Sequence, residues 1–166
     1  MCKISAITLE NKVRHDVDTF LKDRSTSPVL KGLYINRVIH GMDAYLGLIK
    51  SNREQLQIQN SLFLFKIGVF AEAGTYRLSY ARAVIQGANY INELLCEILR
   101  KKGRYSETDF IQLDSETLQE AEQGYNKLRN LMGILVLEND PRIVMPGERL
   151  NFEAIRPKKP EDASYN

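Results

Sequence analysis

Few side chains in this sequence have the type and spacing that chemistry requires. The two histidines, His15 and His40, stand alone, without the carboxylate or cysteine neighbours that a metal site needs. Cys96 lies within an apolar helical pattern and has no histidine near it in the sequence, which predicts an inert, buried thiol. We therefore expect no catalytic residue, no metal site and no cofactor, and we do not expect an enzyme.

Two further groups of charged residues favour a structural role. Glu93 and Glu97 are four residues apart on one predicted helix, but the sequence lacks the Glu-x-x-His motif of carboxylate di-iron bundles. The basic run from Arg100 to Arg104 ends the same helix, where cations complement the helix macrodipole. We expect the glutamates to lie on a solvated face and the cations to stabilise the helix end.

The composition is that of a globular protein with one core. The chain has 166 residues, of which 43% are hydrophobic and 27% are charged, and this is enough for one domain. Two cysteines without a CxxC pair predict a reducing, cytoplasmic location. The most apolar stretch, residues 62–71, contains Lys66 and is too short to cross a membrane, so we expect a buried core element there.

Apolar residues recur at steps of three and four along most of the chain, which predicts a mainly α-helical fold. The strongest pattern covers residues 76–100 and stops before Gly103, a residue type common just after a helix. Further helices are predicted at 11–22, from Ser27-Pro28 to about residues 51–52, and at 54–73. A last helix, capped by Asp114 or Ser115, is predicted to end at the Asn139-Asp140-Pro141 segment. The last of these carries a packing seam formed by Leu118, Ala121, Tyr125, Leu128, Met132 and Leu135. We expect helix 76–100 to be central and to pack on this seam and on residues 62–70.

Residues 3–10 allow two predictions, a short strand or an earlier start of the first helix. The rough alternation in KISAITL would turn Ile7 and Leu9 towards a core and Ala6 and Thr8 to the other side of a strand. The helical alternative depends on apolar residues at helical spacing, namely Leu9, Val13, Val17, Phe20 and Leu21. The sequence leaves both open.

Positive charge is concentrated in the N-terminal third. The net charge of the chain is only +2, whereas residues 1–53 hold nine Lys or Arg against five Asp or Glu, a balance of +4. Residues 54–137 hold nine against ten, so the rest of the chain is close to neutral. An asymmetry of this kind indicates an anionic partner for the N-terminal third.

The same third contains, in order, a short strand pattern, a short helix, a capped turn and a longer helix. The segments are ITL at 7–9, VDTFL at 17–21, STSP at 25–28 and VIHGMDAYL at 38–46. Their order and length resemble the ribbon-helix-helix DNA-binding regulators of the MetJ and Arc class. More faintly, the whole chain resembles the AcaB-like regulators of conjugative elements.

This resemblance implies a homodimer that binds DNA in a sequence-specific way and regulates transcription. In the family, strands of two protomers pair into a ribbon that enters the major groove, and a helix N-terminus holds a phosphate. The residues that the resemblance places on DNA are Lys3, Ala6, Thr8, Ser27 and Lys31. It divides the chain into a DNA-binding segment (1–50), a helical bundle for dimerisation or a partner (54–140) and an extended tail (141–166).

The alternative hypothesis is an α-helical protein-interaction adaptor, or a subunit of a complex, that does not contact DNA. In that case the N-terminus is one more helix of the bundle. The secondary structure of residues 3–10 distinguishes the two hypotheses, because only the DNA reader needs a strand there.

Overall fold

The computed structural model of the chain describes residues 5–72, 78–139 and 142–143 and contains five helices. They are α1 (Ala6–Lys22), α2 (Pro28–Ser51), α3 (Ile58–Glu72), α4 (Leu78–Lys101) and α5 (Ser115–Asn139). Within these residues, β pairing is limited to one isolated antiparallel bridge, between Leu56 and Ile111. The mainly α-helical fold is therefore confirmed.

The prediction of an N-terminal strand is wrong for the residues that the structure describes, because they begin α1. Ser5 caps this helix by accepting a hydrogen bond from the Thr8 amide at 3.3 Å. Ala6 is buried and Ile7 is 66% exposed, the reverse of the sides that a strand would give them. The cap and a buried stripe at steps of four outweigh the short alternating pattern, with Leu9, Val13, Val17 and Leu21 all buried. Lys3 and Ile4 lie outside the described residues.

Two other helices start where the sequence predicts. Ser27 caps α2 by accepting a hydrogen bond from the Leu30 amide at 3.3 Å, and Pro28 is the first residue of the helix. Asp114 precedes α5, and one of its carboxylate oxygens accepts a hydrogen bond from the Thr117 amide at 2.7 Å. Both caps satisfy amides that have no partner within their own helix.

Helix α4 is the central element, as predicted, and packs against each of the other four helices. Its buried side chains include Ala88, Ile91, Leu95 and Leu99. The predicted contacts with α3 and α5 are present. Gly103 follows the helix with φ of +67°, a conformation that glycine adopts without steric cost. The most extensive contact of α4, however, is with α2, and the sequence patterns did not indicate it.

The close packing of α2 on α4 depends on small residues. A Cβ atom added to Gly41 would overlap the side chain of Val84, and one added to Gly87 would overlap Met42. Near the same interface the Tyr45 hydroxyl donates a 2.9 Å hydrogen bond to the side-chain oxygen of buried Asn92. Sequence periodicity marks apolar faces but does not show where two backbones approach each other.

The N-terminal helix belongs to the same hydrophobic core as the other four, because buried residues of all five helices form one cluster. The start of α1 is held by Glu97, whose carboxylate accepts a hydrogen bond from the Ala6 amide at 2.8 Å. Glu93 in turn accepts a 2.8 Å hydrogen bond from Arg100. The Glu93 side chain is only 14% exposed and Glu97 is half-buried, so the expectation that both lie on a solvated face is wrong.

We find no helix in the described part of the chain whose length and apolar character match a membrane span.

Candidate functional site

The five residues predicted to bind DNA do not lie together. Lys3 lies outside the described residues, Ala6 is buried, and Thr8 is exposed on the first turn of α1. Ser27 and Lys31 lie at the start of α2, beyond the other end of α1. At the rise of an α-helix, the 17 residues of α1 separate its two ends by roughly 25 Å. The structure thus brings Ser27 and Lys31 together and leaves Thr8 far from them.

Ser27 and Lys31 line a polar cavity of about 630 Å³ where the end of α1, the start of α2 and the end of α5 meet. We call it the basic cavity. Its charged and polar walls include Lys22, Arg24, Ser27, Lys31, Asn139 and Arg142. Among the described residues that line it there are four cationic side chains and no carboxylate. The electrostatic potential in this recess therefore favours an anion.

Two carboxylates beside the basic cavity, those of Asp18 and Asp23, offset part of its positive charge. The Asp18 carboxylate accepts a hydrogen bond from Lys22 at 2.8 Å, which lowers the pKa of Asp18, and a 3.2 Å bond from Asn139. The Asp23 carboxylate accepts hydrogen bonds from the hydroxyls of Ser25 and Thr26, each at 2.8 Å, and these bonds lower its pKa. Neither carboxylate lines the cavity.

A second surface is apolar and lies on the outer side of α3. Its four large side chains, the α3 stripe, are Phe63, Leu64, Ile67 and Phe70, with exposures of 60%, 55%, 49% and 55%. Their spacing of three and four residues forms a continuous face along one helix. The prediction that residues 62–71 are a buried core element is therefore only half right. The other side of the helix packs on the core through Ile58, Leu62 and Phe65.

The α3 stripe continues into a groove between α2, α3 and α4. This groove has a volume of about 470 Å³. Its apolar walls include Leu48, Leu64, Phe65, Val69, Ala81 and Val84. Leu64 belongs to both the stripe and the groove, so the two form one apolar surface. The sequence indicates this surface, because residues 62–70 are apolar almost all round. A helix that is apolar all round is normally buried on every side, so the side that the core leaves open favours a partner.

The described residues contain no group of three or more His, Cys, Asp or Glu side chains that could hold a metal ion. Cys96 is buried, as predicted, and its sulfur accepts a 3.9 Å hydrogen bond from the Asn92 side-chain nitrogen. His15 and His40 lie on different helices and are both exposed. No protein-family model, curated protein or solved structure matches the chain. The functional argument therefore depends on the two surfaces described above.

Proposed function

We propose that this chain is an α-helical protein-interaction subunit that works as a homodimer and does not read DNA. The observation that carries this proposal is the α3 stripe. Fully burying a side chain such as Phe, Leu or Ile contributes about 1.5–3 kcal/mol, and the four side chains of the stripe are each about half exposed. An exposed, continuous apolar face of this kind marks an interaction site.

The chemistry of the stripe favours a second copy of the same helix as its occupant. The exposed positions between residues 59 and 71 are all uncharged: Gln59, Asn60, Phe63, Leu64, Ile67, Gly68, Phe70 and Ala71. A two-fold symmetric contact places the same surface on both sides, so a charged side chain close to the symmetry axis would face its own copy. Two antiparallel α3 helices that cross at Ile67 would bring Leu64 against Phe70 of the partner subunit without such repulsion.

The size of the stripe predicts a dimer that dissociates on dilution. Its four half-exposed side chains offer roughly 400 Å² of apolar surface per copy, since a large side chain buries about 150–250 Å². A stable interface of standard size buries about 800 Å² per partner. The α3 stripe alone is therefore smaller than a permanent interface, and the adjoining groove adds only part of the difference.

The start of α1 also supports a subunit over a DNA reader. A ribbon-helix-helix protein needs an extended strand that pairs with its symmetry mate, whereas residues 6–10 are helical. Ala6 would have to leave the core to reach a DNA groove. Selection of bound fragments from random duplex DNA tests the regulator hypothesis directly. A recovered consensus site would overturn the proposal that this chain does not read DNA.

The dimer is tested by sedimentation velocity of the full chain between about 1 and 100 μM, the range over which a weak interface dissociates. We expect a monomer–dimer equilibrium for the natural sequence and a monomer throughout for Ile67→Glu. The matched control is Ile7→Glu on α1, which places the same charge at an isoleucine of similar exposure. It should dimerise like the natural chain.

Three results would contradict this proposal. The first is a natural chain that stays monomeric at the highest concentration. The second is an Ile67→Glu variant that dimerises normally, which would place the contact elsewhere. The third is equal loss of the dimer in Ile67→Glu and Ile7→Glu. Dissociation would then follow from the added negative charge and not from a change in the α3 stripe.

A further inference from the structure

We propose that the basic cavity binds the diphosphate group of a small ligand, whether that group is free pyrophosphate or the end of a nucleotide. This inference concerns a different surface from the α3 stripe and does not depend on dimerisation. It starts from Lys31, which is only 6% exposed although it carries a positive charge. Its side chain lines the basic cavity.

Lys31 is an unusual residue to bury in this position. Within the described residues its ammonium group has no hydrogen bond or ion pair, and its backbone amide bonds to the Ser27 carbonyl within the helix. The Asp23 carboxylate attracts this ammonium group electrostatically, but it accepts its hydrogen bonds from Ser25 and Thr26 and does not line the cavity. The aliphatic part of the Lys31 side chain is buried, whereas its ammonium group reaches the open space of the cavity, where an anion would pair with it.

The other walls of the basic cavity supply what a phosphate group requires. Lys22, Arg24 and Arg142 add positive charge, and Arg side chains can bind two phosphate oxygens at once. The cavity also lies at the N-terminus of α2, the positive end of its macrodipole. Ser27 accepts the Leu30 amide hydrogen bond through its oxygen, so its own hydroxyl hydrogen can be donated to a ligand.

The shape of the cavity favours a small ligand over a nucleic-acid backbone. Its volume of about 630 Å³ lies within the usual range of small-molecule sites. Lys31 is recessed, and a phosphate of duplex DNA is flanked by sugars on both sides, which limits how deep it can enter. A terminal diphosphate is open on one side, and its two or more negative charges suit a cavity whose cations outnumber the carboxylates beside it.

The test is isothermal titration calorimetry of the full chain with inorganic pyrophosphate and, separately, with ADP. Sulfate at the same ionic strength is the control anion, and a short random duplex tests the nucleic-acid alternative. We expect Lys31→Met to weaken pyrophosphate binding about tenfold or more, because hydrogen bonds to charged groups are among the strongest. Lys12→Met, at an exposed lysine on α1, should bind like the natural chain.

Stability measurements separate binding from folding. Pyrophosphate should raise the thermal midpoint of the natural chain and of Lys12→Met but not that of Lys31→Met. If Lys31→Met does not fold, Arg24→Gln takes its place, because Arg24 is exposed and lines the same cavity. Tighter binding of ADP than of pyrophosphate would identify a nucleotide as the source of the diphosphate.

The proposal is overturned if pyrophosphate and ADP bind no better than sulfate. It is also overturned if Arg24→Gln and Lys12→Met lose the same affinity, because binding would then follow net charge alone. Binding of the duplex in the absence of pyrophosphate binding would assign the cavity to nucleic acid instead.

Discussion

Asp114 makes the start of α5 sensitive to pH. The hydrogen bond from the Thr117 amide is the largest influence on its carboxylate and, with the ion pair to Arg104, lowers the pKa of Asp114 from 3.8 to about 2. A lowered pKa means that the carboxylate contributes stability above the pKa of the unfolded chain. That contribution is complete above about pH 5 and is lost progressively as the pH falls towards 2.

We expect Asp114→Asn to be less stable than the natural chain at neutral pH and to lose less stability on acidification. An asparagine still caps a helix but has no charge to titrate or to pair with Arg104. The measurement is the urea midpoint of both chains at pH 6 and at about pH 2.5. Ser115→Ala, a change at the next residue without a titrating group, should keep the full pH dependence. If the urea midpoints of the natural chain and of Asp114→Asn fall equally between the two pH values, Asp114 is not the source of the pH sensitivity.

At the residue scale the sequence predicts local roles, such as helix caps, better than it predicts which distant residues a side chain contacts. The Ser27-Pro28 pair is a local signal that predicts a helix start, and the structure confirms Ser27 as the cap of α2. The burial of Lys31 was not predicted, because it depends on how α1, α2 and α5 meet, which no local pattern encodes. The same holds for Glu97, whose partner is the amide of Ala6, far away in the sequence.

At the scale of the elements, the contact between α2 and α4 makes a prediction about two glycines of one helix. Gly41 faces Val84, a β-branched side chain with little freedom to move, whereas nothing lies within 4 Å of a Cβ placed on Gly47. We expect Gly41→Ala to lower the free energy of unfolding by about 1–2 kcal/mol through overpacking. Gly47→Ala should raise it by about 0.5–1 kcal/mol, since alanine favours the helix.

Urea unfolding of both variants checks this pair, because the change in helix propensity is the same at the two positions. A Gly41→Ala variant that is as stable as Gly47→Ala would mean that α2 and α4 do not approach closely at Gly41. The pair thus measures the distance between two helices through two substitutions of identical chemistry.

Helix positions were predictable because amphipathic periodicity and caps are local, and this held for α2, α4 and α5. The strand alternative at the N-terminus failed because a few alternating residues fit either period, and the cap at Ser5 with buried Leu9 and Val13 decided for a helix. For α3, the sequence showed apolar residues all round but not which of them the other helices would leave exposed. That is a property of the assembled core.

At the scale of the whole molecule, one core links the N-terminal third to the rest. Residues of α1 and α2 belong to the same buried cluster as those of α4 and α5, and α1 packs on both α4 and α5. The resemblance to ribbon-helix-helix regulators implies a boundary between residues 50 and 54. If such a boundary separated two folding units, each part would have a core of its own.

We expect a fragment of residues 54–166 not to fold by itself. Removing residues 1–53 uncovers the face of α4 that packs on α2, the most extensive contact of that helix, together with the surfaces of α4 and α5 that pack on α1. The exposed apolar area would cost more than the few kcal/mol by which small domains are stable. Thermal unfolding followed by circular dichroism should therefore show no cooperative transition for the fragment. The fragment should also bind a hydrophobic dye. Adding the 1–53 fragment should restore a transition, whereas a 54–166 fragment that unfolds cooperatively on its own would establish two separate folding units.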